Sequence, residues 1–156
     1  MGLLSFLLIV ILGALVLFFV RTYQMEAKGE QQEFLNGKAP PSLPHGFLKG
    51  SVPGRTVPPG GWKGKKIDAA TGTGKNVFEK SGVQMEKYAF RTYIGRGIRD
   101  AKDVLKIDYD IPGNAFWLRR VLDEVVETAP GKFLGKAHLR ILPGIPFTVI
   151  FFRMEQ

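Results

Sequence analysis

Residues Leu3 to Val20, LLSFLLIVILGALVLFFV, form an apolar run interrupted only by Ser5, Gly13 and Ala14. At about 1.5 Å per helical residue, the stretch from Met1 to Val20 reaches roughly 30 Å, the hydrocarbon thickness of a bilayer. A cleaved secretory signal would need a basic start, a shorter apolar core and a small-x-small exit. Here no Lys or Arg precedes the run, and it leaves through Phe18-Phe19-Val20-Arg21-Thr22-Tyr23. Myristoylation at Gly2 would need Ser or Thr where Phe6 stands. The sequence therefore predicts an uncleaved, single-pass transmembrane anchor helix over residues 1–22 and a membrane location for the rest of the chain.

Positive charge flanking a span is retained on the cytoplasmic side. Between Arg21 and Lys66 there are eight basic residues (Arg21, Lys28, Lys38, Lys49, Arg55, Lys63, Lys65, Lys66) against Glu26, Glu30 and Glu33. This bias predicts a cytoplasmic domain. The same segment, in a chain of net charge +8, is read as a basic linker facing anionic lipid headgroups, each Lys or Arg near such a surface contributing about 1 kcal/mol. No cluster of base-stacking aromatics among basic residues and no nucleic-acid-binding signature is present, so nucleic acid is not an expected partner. The lack of cysteine fits a reducing compartment without requiring one.

Residues 23–57 read as a linker, polar and then rich in proline (Pro40, Pro41, Pro44). Its first part is composed of helix formers, which predicts continuation of the anchor helix to about Leu35 before Asn36-Gly37 stops it. Residues 58–156 read as one mainly β domain. Leu105, Ile107, Tyr109 and Ile111 alternate with Lys106, Asp108 and Asp110. Phe133, Gly135, Ala137, Leu139 and Ile141 alternate with Leu134, Lys136, His138 and Arg140. Such patterns predict strands with one face in a core and the other in water. Tyr88 to Ile94 and Phe147 to Met154 add strands, the last apolar on both faces, and Pro-Gly pairs at Pro112, Pro130 and Pro143 mark turns. Leu118, Val121, Leu122 and Val125 repeat at helical spacing after Asn114, predicting one short helix over 115–122. About seven short strands and one helix indicate a small antiparallel barrel or strongly curved sheet.

Motifs that could carry chemistry fall short of their requirements. Thr71-Gly72-Thr73-Gly74-Lys75-Asn76 lacks the first glycine of a phosphate-binding loop, where Ala69 stands, and the hydroxyl that would hold magnesium, where Asn76 stands. Gly95-Arg96-Gly97-Ile98-Arg99-Asp100 ends in Asp where a dinucleotide fingerprint needs glycine. Asp108 and Asp110 share one strand face but are read as its solvated side, and Asp123 and Glu124 as ordinary surface or ion-pair residues. His45 and His138, the two histidines, sit in no metal-ligand spacing. The expectation is a non-catalytic protein with no metal and no cofactor.

The most specific local element is Gly60-Gly61-Trp62, a tryptophan opening the first clear strand between glycines. This element resembles the Gly-x-Trp of lipocalin and wider calycin barrels, and the resemblance spans residues 58–156. It implies a lipocalin-like β domain whose tryptophan closes the barrel floor under a basic residue from the last strand, a place Arg153 would take. The chain lacks the family's other loop motifs and its cysteines. The implied function is binding of an apolar small molecule or lipid, with Trp62, Phe78, Tyr88, Phe90, Tyr109, Phe133, Phe147 and Phe151 as lining residues. The same residues would fill a solid core in so small a barrel. The alternative is an accessory subunit of a larger membrane protein complex, with Phe18, Phe19, Phe116, Trp117 and the last strand as contact surfaces.

Overall fold

In the computed structural model, which describes residues 2–156, the apolar run is helical and continues past its last apolar residue. Helix α1 spans Leu3–Glu26, and a second helix, α2, spans Gly29–Asn36. The two are not continuous: Lys28 is extended. The break turns the chain so that Phe34 becomes completely buried beside Phe151, with Met25 in the same cluster. Burial of these side chains outweighs the helix propensity that would have carried α1 straight on.

Eight strands follow: β1 (Gly46–Ser51), β2 (Trp62–Asp68), β3 (Thr73–Lys80), β4 (Val83–Arg96), β5 (Asp103–Asp108), β6 (Val121–Ala129), β7 (Lys132–Leu142) and β8 (Ile145–Glu155). Each pairs antiparallel with the next, and β1 pairs with β8 through Lys49↔Glu155 and Ser51↔Arg153. The sheet is therefore a closed up-and-down barrel without free edges. The predicted class holds, with one strand more than the periodicity indicated. The extra strand is β1, within the stretch read as linker, and its Leu48 is fully buried in the core.

The alternation in β5 and β7 sorts as predicted. Leu105, Ile107, Tyr109, Phe133 and Ala137 belong to the interior core with Leu48, Trp62, Phe90, Val125, Phe152 and Met154. The predicted helix over 115–122 is instead a single 3-10 turn at Leu118–Arg120. Asn114 does not cap it; the side-chain amide donates to the carbonyls of Ala89 and Tyr109. Val121 and Leu122 are claimed by β6, opposite Leu139 and His138.

The outer face of β5 to β8 is not wet as predicted. Lys106, Asp108, Glu124, Lys136 and His138 are all buried: the end of α1, α2 and the 97–102 loop lie over Glu124, Lys136 and His138, and Arg91 and Arg140 cover Asp108. Helix α1 follows β8 in the same direction: Phe18 and Phe19 pack on Phe147, Thr22 hydrogen-bonds with Thr148, and Met25 joins the cluster around Phe151. The apolar portion of α1 is left bare beyond the start of β8. At about 1.5 Å per residue, the 24 residues of α1 reach about 36 Å. By length and composition the helix can cross a membrane.

Candidate functional site

An apolar-ligand barrel would keep its interior open, and here the interior holds a charge. The Lys65 side chain is almost completely buried. Its Nζ donates to Asn76 Oδ1 at 2.9 Å and to Tyr109 Oη at 2.5 Å, and meets Asp123 Oδ2 at 2.9 Å. Three partners use all three ammonium protons. Trp62 Nε1 donates to the same Asn76 oxygen at 3.0 Å, Asn76 Nδ2 donates to Tyr109 Oη at 2.8 Å, and the Tyr109 hydroxyl donates to Asp123 Oδ2 at 3.3 Å. Four rings enclose the ammonium, those of Tyr109, Phe152, Phe90 and Trp62, with centroids 5.1 to 5.7 Å away. A buried cation is tolerated when paired, hydrogen-bonded and set against aromatic faces, and all three conditions are met.

Glycines make room for these rings. A Cβ on Gly50 would stand 2.5 Å from the Trp62 ring, one on Gly74 2.4 Å from Phe90, and one on Gly135 2.1 Å from Phe152. Each ring lies directly on the backbone of the strand next to its own.

The network sets its own protonation. Burial pushes the Tyr109 phenol up, to about 12, with the Asp123 charge adding and the Lys65 charge opposing. Burial alone would lower Lys65, but Asp123 and Tyr109 outweigh it and hold the ammonium above its ordinary value. Lysine stays charged and tyrosine stays neutral, so neither is poised as a nucleophile or base near neutral pH.

The eight aromatic residues taken as lining are distributed unevenly. Trp62, Phe90, Tyr109 and Phe133 belong to the interior core and Phe78 packs against it. Tyr88, at a positive φ of 59°, is half exposed between Phe78 and Trp117. Phe147 is covered by Phe18 and Phe19, and Phe151 lies beneath the helices with Phe34. Phe151 is thus outside the interior. β8 is apolar on both faces because α1 covers one of them, which removes the cue that separates inward from outward residues. Arg153 is not over Trp62; it makes two 2.6 Å hydrogen bonds to Glu33 of α2. The cation over the tryptophan is Lys65.

A second polar layer lies between barrel and helices. Lys136, fully buried, reaches Asp100 Oδ2 at 2.7 Å and Glu26 Oε1 at 3.1 Å, over the Phe34 ring. Arg99 donates to both Glu26 oxygens, at 2.6 and 2.7 Å. His138 sits with Nε2 3.3 Å from Glu124 Oε2 and Nδ1 3.4 Å from Thr148 Oγ1, and Glu124 Oε1 accepts from the backbone of Ile98 at 2.7 Å. The layer locks α1, α2 and the 97–102 loop to the barrel. Asp108 is taken up by Arg140 and Arg91, and Asp110 by Arg119. Burial pushes the Asp108 carboxyl up, but the Asp110 backbone amide and the two guanidiniums hold it below its ordinary value.

The clefts are surface features, the largest, of about 790 Å³, lying between α2 and the β6–β7 turn. One of about 370 Å³ follows β2 to β4 past Ile67, Phe90 and Ile111. Another, of about 740 Å³, lies beside the β7–β8 turn between Arg120, Arg140, Ile141 and Ile145. Lys65, Trp62, Tyr109 and Asp123 line none of the three. Lys65 and Asn76 escaped the sequence reading as interior residues. Comparison of the chain with known protein families, characterised proteins and solved structures returns no match for any of them.

Proposed function

We propose that this protein is a membrane-anchored, non-catalytic accessory subunit, whose helix α1 packs against other membrane spans while its barrel, lipocalin-like in architecture, forms a rigid cap on the cytoplasmic side. The observation that carries this reading is the filled interior. A carrier needs a cavity of roughly 300 Å³ or more into which its ligand fits, whereas Lys65, its three polar partners and four rings occupy the centre of this barrel. Two further features support it. The apolar half of α1 is bare, and buried ion pairs fasten its other half to the barrel. Of the expected contact surfaces, the last strand and Phe18 are used inside the chain, which leaves α1 itself for a partner in the membrane and the exposed Phe116 and Trp117 for one at its surface.

The 370 Å³ cleft beside Ile67, Phe90 and Ile111 favours a second reading, an apolar molecule held at the barrel wall.

Replacing Leu3 to Leu17 by an unrelated apolar sequence of equal length tests the first reading. The variant should still insert and keep its barrel but lose the stoichiometric protein partner that the native chain retains in mild detergent. Retention of the same partner by the replaced helix contradicts it.

A further inference from the structure

In an up-and-down barrel the connections alternate between two ends. The β1–β2, β3–β4, β5–β6 and β7–β8 connections share one end. Because α1 runs alongside β8 in the same direction, its bare apolar half leaves the barrel at that end, past the β7–β8 turn. The residues found there differ from those at the opposite end. Phe116 is 78% exposed and Trp117 52%, and Val57, Val83 and Ile145 are exposed beside them. Among the described residues, the turns at the other end, 69–72 and 130–131, expose no large apolar side chain, and Phe47 at the start of β1 is half exposed there; the 97–102 loop folds back along the barrel, where Arg99 donates to the Pro146 carbonyl.

Charge at the anchor end is one-sided. Across 52–61, 81–82, 109–120 and 143–144 the one acidic residue is Asp110, and Arg119 occupies it at 2.7 Å. Lys80 and Arg120 are exposed at this end and form no ion pair among the described residues; Arg55 lies farther along β8, in a cleft with Lys28, Glu30 and Phe151. Much of the basic segment 23–57 is not available there: Lys38 is bridged to Glu127, near the β6–β7 turn at the far end.

We propose that the anchor end of the barrel is a membrane-docking surface: Phe116 and Trp117 enter the headgroup region of the bilayer that α1 crosses, and Lys80 and Arg120 meet anionic headgroups at that end. Aromatic side chains with one polar edge are at home in that layer, and cations near an anionic leaflet are attracted to it. The contacts of α1's buried half with β8 fix the barrel's distance from the membrane, so the tip is held against lipid without a separate binding event. The accessory-subunit reading gave Phe116 and Trp117 to a protein contact; their position at the end of the barrel where α1 leaves it assigns them to lipid.

The proposal rests on α1 crossing a bilayer, and one experiment separates the two. The full chain is reconstituted into vesicles of phosphatidylcholine with and without phosphatidylglycerol, floated on a gradient, and its tryptophan emission quenched with brominated phosphatidylcholine or with aqueous iodide. The W117F variant identifies the Trp117 component, since Trp62 is buried. Trp117 should lose most of its emission to the brominated lipid and little to iodide, the contrast sharper with phosphatidylglycerol and weaker in K80Q/R120Q. A chain that floats while Trp117 stays open to iodide overturns the docking and leaves the anchor standing. Shielding of Trp117 from both quenchers overturns it too, by showing a second copy of the chain on that surface. Failure to float overturns the anchor and the docking together.

Discussion

Lys65 is where the interior decides between a pocket and a core. With a side chain almost wholly buried and its ammonium 2.9 Å from Asp123, it is stable only while every partner is present. Lys65→Met should destabilise the protein by about 3–5 kcal/mol, because Asp123 is left charged and unpaired in a dry interior, while a Lys65→Met/Asp123→Leu double variant should recover most of that loss. Denaturant midpoints of the full chain in detergent measure both, and an unchanged midpoint in the single variant would mean the interior is wet. Alkali tests the same network. The folded-state pKa of Tyr109, about 12, lies above its ordinary 10.0, so the folded state holds this proton more tightly than the unfolded one. The resulting stability is complete below pH 10 and is lost as pH rises toward about 12. Absorbance titration should show one tyrosine ionising together with unfolding; ionisation of every tyrosine before any loss of structure would contradict it.

At the scale of elements, the helices are held by contacts of unequal value. Arg153 and Glu33 are each more than a third exposed, which limits their ion pair to about 0–1 kcal/mol. Lys136 is fully buried between Glu26 and Asp100, and removing it leaves Asp100 without a cation and Glu26 with Arg99 alone. Lys136→Met should therefore open α2 and the 97–102 loop, visible as faster hydrogen exchange there and as protease cleavage near Lys28, with β2 to β4 still protected; Glu33→Ala should change little. Uniform loss of protection across the barrel would show that the helices do not unfold separately. The elements that could be read from the sequence are those with undisturbed alternation. β5 and β7 present Leu105, Ile107, Phe133 and Ala137 at strict spacing, and these residues are where the pattern puts them. β1 was hidden because two of its six residues are glycine and its surroundings are rich in proline. The Lys65 network was hidden by a bulge. The register of β2 on β3 shifts between Trp62 and Gly64, so counting by twos from Trp62 reaches Lys66, and the inward residue is Lys65. The helical spacing of Leu118, Val121 and Leu122 was overruled by sheet partners remote in sequence.

For the whole molecule, closing the barrel and fastening α1 along β8 make one rigid body from an apolar helix and a packed sheet. Buried outer residues that resemble a solvated strand face, Lys106, Lys136 and His138, are the seam between them. A carrier built this way would have to expel Lys65 and Asp123 from the interior to admit a ligand, at a cost of several kcal/mol per ion pair broken. The seam has the opposite effect, transmitting the position of the helix to the barrel. The most direct test is native mass spectrometry of the full-length protein released in mild detergent from its own membrane. The predicted result is a barrel free of any small molecule, in a complex with membrane protein at fixed stoichiometry. A monomer retaining a small apolar molecule would contradict the account, because the interior would then have to hold a pocket where Lys65 and its four rings now stand.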